Sequence, residues 1–589
     1  MLRLPFIALV NLLILLRTLL GAPFRLLGAR HRPAYVRFRL TGNPPYREQR
    51  QPRFQLGGSS RPEPAAVTSL ERFRESLRLL AKDARVKGIL LELEDLEVTA
   101  ARRDALLAVL AEFRAAGKRV VTWAVSVGTD AYPVMCAADE VLLAPMGRVE
   151  LTGYVAEASA LGDALSRVGI HAHFVRRGDY KTAPELWTHK AVSDIQAKTV
   201  ETFLDERYAD LVDAVARGRR KTPEEVKALI DQGPYSAKRA VDAGLADALV
   251  SETDLPVHLG LVKAEEGEEE TELEPMSTYL ETLPFPPVRW RPLRRRPRLA
   301  MIPISGLITQ GRGGGAGRFA TSETVVKALR AAGRDRRSKA VVLHISSPGG
   351  VALASEQILE VVQRVARKKP VIAFMDQVCA SAGYMVAVGA KEIWSTPHAV
   401  VGSIGVFAGK FEASVLLERV GVHRKLIARG ENAGVFSNSR GFTPHERASL
   451  EADIEEMYQA FLGHVAKARG RTTEEIHALA EGRVYSGMRA KDLGLVDRLG
   501  GFEEACRHAL GLAKVSAEHF ELKTFGAPVQ RFNLLKLLMS TARAQVYALC
   551  PVSWSLGGGL GTEEFDVPVA WRTWLSGLLA ELKEPEGGG

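Results

Sequence analysis

The sequence predicts an α/β protein made by tandem duplication of one βαβ-rich domain, with an N-terminal membrane-associated segment. Three observations carry this: self-similarity at an offset of 252 residues, strand–helix alternation inside each copy, and an apolar run at the N-terminus. A chain of 589 residues also exceeds what one hydrophobic core organises, so two or more domains are expected.

The repeat comes first. With Tyr132 set against Tyr384, Lys87 meets Lys339, Leu91 meets Leu343, Glu140 meets Glu392, Pro145 meets Pro397 and Gly153 meets Gly405 without a gap. SRVGIH ending at His171 meets ERVGVH ending at His423, and Arg177-Gly178 meets Arg429-Gly430. Farther on, one short indel changes the offset to 250, where PYSAKRAVDAGLAD parallels VYSGMRAKDLGLVD. Chance does not hold one register over such a length.

Within the second copy, AMIPISGLI, AVVLHIS and PVIAFMD read as strands, with helices through ALASEQILEVVQRVAR and from near Ser381. In the first, GILLELE, the helix RDALLAVLAEFRAAG and RVVTWAV repeat the order, which argues for parallel βαβ units. The boundaries expected are a 1–30 membrane segment, a 34–261 repeat, a 262–298 linker, a 299–522 repeat and a 523–589 tail. Opposite charge blocks and prolines make EEGEEETELEP and RWRPLRRRPR read as solvated linker rather than core. In the tail, NLLKLLMSTARAQVYAL reads as one amphipathic helix.

At the N-terminus, Leu4 to Leu16 is apolar except for Asn11; Arg17 interrupts, and Thr18 to Leu27 resumes with Pro23 and Arg25. A span needs ~20 apolar residues. An uncleaved signal anchor, an interfacial helix and a secretory signal compete, and no small-x-small site favours removal. Arg25, Arg30, Arg32, Arg37 and Arg39 outnumber Arg3, so a positive-inside argument taken alone would keep the body cytoplasmic, and the charges leave sidedness open.

Composition excludes several classes. With 46% hydrophobic and 25% charged residues, the chain is neither collagenous, nor wholly disordered, nor polytopic. The net charge of +10 suits an anionic surface, but no zinc finger, RNA-recognition signature or arginine–aromatic interleaving accompanies it, which discounts nucleic acid. Cys136, Cys379, Cys506 and Cys550 are scattered without C-x-x-C spacing and read as buried thiols. No Walker A motif, Rossmann fingerprint or metal-ligand cluster occurs, so no cofactor and no metal are expected.

Two stretches carry chemistry. In SSPGGVALAS, Gly349-Gly350 between a strand and a helix allow N–H groups to face an oxyanion, though the same residues also make a plain turn. In VCASAGYMVAVGA, Ser381 follows a strand among small residues and can be a nucleophile or a helix N-cap. Comparison of the copies weighs these. Opposite Ser381 the first copy has Thr129, and opposite SSPGG it has EDLEV; conversely GDYKTA, with Lys181, faces GENAGV, with Ala433. One copy holds a serine without the lysine and the other a lysine without the serine. A single site assembled from two degenerate halves explains both losses.

ISSPGG, ASAGY, VGSIGV and GDYKTA on a duplicated scaffold resemble the long form of the signal peptide peptidase A (protease IV) family, within the crotonase-like/Clp-type superfamily, over residues 34 to 515. The resemblance implies Ser381 as nucleophile, Lys181 as general base, and Gly350, Gly349 and the Ala382 N–H as oxyanion hole. It further implies a serine peptidase at the bacterial inner membrane facing the periplasm, a homo-oligomeric ring (a tetramer), and cleaved signal peptides as substrates. The chain departs from the family at Ser346, Ala382 and Thr182, where Asn, Gly and Ser are usual; these small exchanges touch specificity more than the dyad. In such a dyad the lysine must be neutral to take the serine proton, and burial disfavours its charge. Ser403 is the candidate to orient that amine, because Leu151 is its counterpart in the other copy; satisfying backbone in a strand-turn is the equal alternative. A crotonase-type acyl-CoA enzyme and a non-catalytic membrane scaffold are the competing functions.

Overall fold

The computed structural model describes residues 3–28, 33–46, 65–262, 273–283, 296–311, 319–517, 519–526 and 547–549. The chain divides into two compact units. The first holds residues 1–155, 202–297 and 519–521; the second holds 156–201, 298–518 and 522–589. Segment 156–201 lies in the first repeat by register yet belongs to the second unit.

In the first unit, strands Tyr35–Thr41, Gly88–Glu94, Arg119–Gly128 and Glu140–Glu150 form a parallel sheet in chain order. Gly88–Leu93 is buried at every position, the pattern of a strand covered on both faces. The helix Leu70–Ala81 buries Leu70, Phe73, Leu77 and Leu80 at helical spacing, and the Ser69 side chain caps it by accepting from the Arg72 N–H.

Part of the stretch read as linker is core. Helix Met276–Thr282 lies within it, Leu273, Tyr279 and Leu283 are buried, and the Tyr279 hydroxyl donates to Asp83 Oδ2 at 3.1 Å. Charge dominates the composition of 262–298, but a few apolar side chains suffice to anchor a short helix. At the N-terminus, helix Arg3–Gly28 leaves Phe6, Leu9, Leu12, Leu13, Leu16, Leu19 and Leu20 exposed. No helix among the described residues is long and apolar enough to cross a membrane.

In the second unit, strands Arg298–Ser305, Ser338–Ser347, Val371–Ala380 and Val400–Gly402 lie side by side and parallel, with Val484–Ser486 antiparallel at the end. A second sheet runs in the order Phe319–Thr321, Leu307–Thr309, Gly349–Val351, Tyr547–Leu549, Val406–Glu412, His171–Arg177. The tail stretch read as a helix therefore ends in strand at Tyr547–Leu549, where neighbouring edges supply a ladder; its residues 533–546 lie outside the described ones. Cys136, Cys379 and Cys506 are buried free thiols; Cys550 is outside the described residues.

The duplication extends to individual hydrogen bonds inside each unit. Tyr132 donates to Leu245 O at 2.6 Å, as Tyr384 does to Leu495 O at 2.8 Å. Arg219 Nε donates to Gly244 O and Arg469 Nε to Gly494 O, both at 2.8 Å, and the two guanidinium groups pair with Asp247 and Asp497. Thr222 with Glu225 and Thr472 with Glu475 form matching capping boxes.

Candidate active site

Strand Val371–Ala380 delivers Ser381 to the start of helix Ala382–Ala387 with φ 55° and ψ −119°, a strained strand-to-helix elbow that aims the side chain off the sheet. The bend is held because the Ser381 N–H donates to Gly402 O at 2.7 Å and its carbonyl accepts from the Met385 N–H. The Ser381 hydroxyl also lies 3.4 Å from Gly405 O. Burial pushes the Cys379 thiol well up, so this neighbour stays protonated and is no rival nucleophile.

Lys181 reaches Ser381 from the segment after strand His171–Arg177, which pairs antiparallel with Val406–Glu412 over seven residues. Its Nζ is 2.6 Å from Ser381 Oγ, 2.9 Å from Ser403 O and 2.9 Å from Ser403 Oγ. Lys181, Ser381 and Ser403 are all fully buried. An ammonium donates to all three oxygens; in the neutral form two N–H groups serve the Ser403 oxygens and the lone pair faces the Ser381 hydroxyl. Ser403 itself is held at φ 53° by donation from its N–H to Arg483 O at 2.6 Å.

The lysine backbone is clamped by residues the sequence reading did not single out. The Tyr180 N–H donates to Glu481 O at 2.8 Å, and Gly482, at φ +83°, packs so closely that a Cβ there would lie 2.4 Å from Lys181 N. Arg483 stacks over the Tyr180 ring at 4.1 Å. On the other side Arg176 donates to Lys181 O at 3.3 Å and pairs with buried Glu185 at 2.6 Å, which also accepts from Ser193 Oγ. At the repeat offset of 250 Gly482 stands opposite Gln232, so the repeat gives no signal for it and only the tertiary contact gives it meaning.

Gly349 and Gly350 form a strand with Val351, at φ 125° and 150°. A Cβ on Gly350 would lie 2.0 Å from Ile308 O, so only glycine allows the parallel approach of Leu307–Thr309. Helix Ala382–Ala387 packs against this strand, which brings Gly349, Gly350 and Ala382 into the same neighbourhood as Ser381. Thr129, the counterpart of Ser381, instead donates to Glu150 O at 2.9 Å in the first unit.

Comparison with known proteins identifies a family for the chain. The model of peptidase family S49 matches residues 112–260 and 363–516. Protease 4 of Salmonella typhi is 30% identical over 490 residues, covering 81% of this chain and 76% of that protein. The chloroplastic serine protease SPPA of Arabidopsis thaliana is 28% identical over 440 residues, covering 74% of this chain and 64% of its own length. Among solved structures, a ClpP1 variant of Listeria monocytogenes aligns with TM-score 0.24 at 18% identity, over 35% of this chain and 93% of its own.

Proposed function

The chain belongs to peptidase family S49, and from that premise we propose that it is a serine endopeptidase working through a Ser381/Lys181 dyad formed within one chain. The observation that carries the proposal is the 2.6 Å approach of Lys181 Nζ to Ser381 Oγ in a fully buried setting.

Ser381 Oγ attacks the scissile carbonyl carbon as its proton passes to the Lys181 lone pair. The resulting oxyanion faces N–H groups from the Gly349–Gly350 strand and from Ala382. Collapse breaks the C–N bond, and the ammonium returns the proton to the departing amine, leaving an ester on Ser381. Water then attacks the ester with Lys181 again taking the proton; collapse breaks the bond from the carbonyl carbon to Ser381 Oγ, the ammonium returns the proton to Oγ, and the acid product leaves. Ser403 orients the amine through both its oxygens.

The substrates proposed are cleaved signal peptides and similar apolar peptides, at a bacterial inner membrane, by a ring of subunits. The row of exposed leucines on helix Arg3–Gly28 supports attachment to lipid. The test is labelling by a fluorophosphonate together with hydrolysis of an apolar peptide. Both should map to Ser381 and vanish in Ser381→Ala and in Lys181→Ala, with the double variant no worse than either single one. Substantial hydrolysis by Lys181→Ala at neutral pH refutes the dyad.

A further inference from the structure

The first unit holds a hollow of about 480 Å³ that the chemistry above does not use. Its charged lining sets Arg114, Arg217, Arg219 and Arg220 against Asp139 and Asp247, an excess of two positive charges. Both carboxylates are already engaged. Asp139 pairs with Arg114 at 2.6 Å and accepts from the Val120 N–H at 2.8 Å. Asp247 pairs with Arg219 at 2.7 Å and accepts from the Val141 N–H at 2.7 Å. Arg217 and Arg220 have no hydrogen-bond or ion-pair partner among the described residues. Three residues apart at the end of helix Asp194–Arg219, they are neighbours on one face.

The second copy separates scaffold from additions. Arg219 and Asp247 recur there as Arg469 and Asp497, paired at 2.5 Å, so that pair belongs to the scaffold. The rest is particular to the first copy. Opposite Arg114 stands Ala366, and opposite Arg220 stands Gly470. Opposite Ala214, which lines the hollow, stands His464, whose ring pairs with Glu356 at 3.0 Å; alanine leaves that volume open. Arg220 sits at φ 54°, the left-handed conformation that Gly470 adopts at φ 63° without a Cβ to crowd. A strained arginine at a helix cap, where the other copy has glycine, points to a use for its guanidinium.

We infer that this hollow is a binding site for a phosphate group. Two unpartnered guanidinium forks offer more N–H donors than one carboxylate can accept, whereas a phosphate presents at least three oxygens to them. A phosphate monoester carries about two negative charges at neutral pH, which matches the excess in the lining. The volume falls within the range of small-molecule sites, roughly 300–1,000 Å³, so a small organic body fits with the phosphate. Leu107, Pro133 and Ala137 supply apolar wall for that body. The phosphate can belong to a free solute or to the headgroup of an anionic lipid, since the recognition chemistry is the same. The net charge of +10, which the peptidase chemistry leaves without a use, suits either source.

The test compares the full chain with its double variant Arg217→Gln, Arg220→Gly. Glycine is what the second copy carries at the second position, so the change relieves backbone strain and favours folding. Inorganic phosphate at a hundredfold excess over its Kd should raise the melting temperature of the full chain by roughly 3 °C, with potassium chloride at equal ionic strength as control. The double variant should lose that rise and bind phosphate at least about tenfold more weakly in calorimetry. Flotation with phosphatidylcholine vesicles, with and without phosphatidic acid, separates the sources. Both chains keep helix Arg3–Gly28, so loss of the phosphatidic acid-dependent part in the variant assigns the site to a lipid headgroup. Equal flotation with a lost phosphate response assigns it to a free phosphate. A charge-matched control, Lys227→Gln with Lys238→Gln, both exposed and outside the hollow, should behave as the unaltered chain. The inference is overturned if the unaltered chain and the arginine variant respond alike in both assays, or if the lysine control reproduces the variant's losses. Either result makes Arg217 and Arg220 a solvated face at a helix end.

Discussion

Replacing Ser403 by alanine removes one of the contacts that fix the Lys181 amine and leaves the others in place. The Oγ contact of 2.9 Å is lost, while the Ser403 carbonyl at 2.9 Å and Ser381 at 2.6 Å remain. Alanine has the same Cβ as serine, so the strained φ of 53° is not relieved and the backbone has no new reason to move. A hydrogen bond to a group that becomes charged in the reaction contributes about 1.5–3 kcal/mol in a buried site. At about 1.4 kcal/mol per decade, kcat/KM should fall roughly 10- to 150-fold, well short of the loss expected for Lys181→Ala. The direction of the pH effect follows from the same contact. Ser403 Oγ accepts from the ammonium, so its removal destabilises the charged amine and should move the acid limb of kcat/KM to lower pH as the plateau drops. The assay is kcat/KM for a fluorogenic apolar peptide from pH 5 to 10, with thermal melting as the control for folding. A rate within twofold of wild type and an unmoved limb would refute the orienting role and leave Ser403 a structural residue.

Three other outcomes are expected. Gly482→Ala places a Cβ 2.4 Å from Lys181 N and should cost at least about 100-fold in kcat/KM; Gly463→Ala, on a helix with open space around it, should leave activity unchanged. The paired hydrogen bonds from Arg440 hold the Glu446 carboxyl down at about 2. Its stabilisation is then present above the unfolded value near 4.5 and lost as pH falls toward about 2, so Glu446→Gln should cost roughly 1 kcal/mol in denaturant melts at pH 7, solvent screening at the part-exposed Arg440 taking the rest, and almost nothing near pH 2. Co-expressed Ser381→Ala and Lys181→Ala chains should recover no hydrolysis in verified mixed oligomers; recovery would mean that the lysine serves a neighbouring subunit.

What the sequence made legible was whatever is local or repeated. Alternating runs identified the strands around Gly88–Glu94 and Val371–Ala380, and the repeat register isolated Ser381 and Lys181 by their complementary losses. Less visible were features that depend on distant partners. The sequence alone does not mark His171–Arg177 as a strand, and nothing in those seven residues says that they pair with Val406–Glu412. Gly482 looks like a turn glycine until the Lys181 backbone is found against it. Tyr279 sits in a stretch whose charge hides it, and Tyr547–Leu549 follows a helical pattern of apolar residues while its hydrogen-bonding partners lie elsewhere in the chain. Periodicity reports which face is apolar, not which edge will receive a strand.

The allocation of residues 156–201 to the second unit has a consequence for biogenesis. Lys181 leaves the ribosome 200 residues before Ser381 and 222 before Ser403, the two residues that later surround its amine. At about 5–20 residues per second, the lysine waits roughly 10 to 40 s for the serine. Its clamp at Glu481–Gly482 arrives later still. On the proposed dyad, a nascent chain therefore carries no competent hydrolytic centre until Ser381 and Ser403 have been made. Splitting the pair across the polypeptide works as a timer, turning proteolysis on only when synthesis is nearly finished.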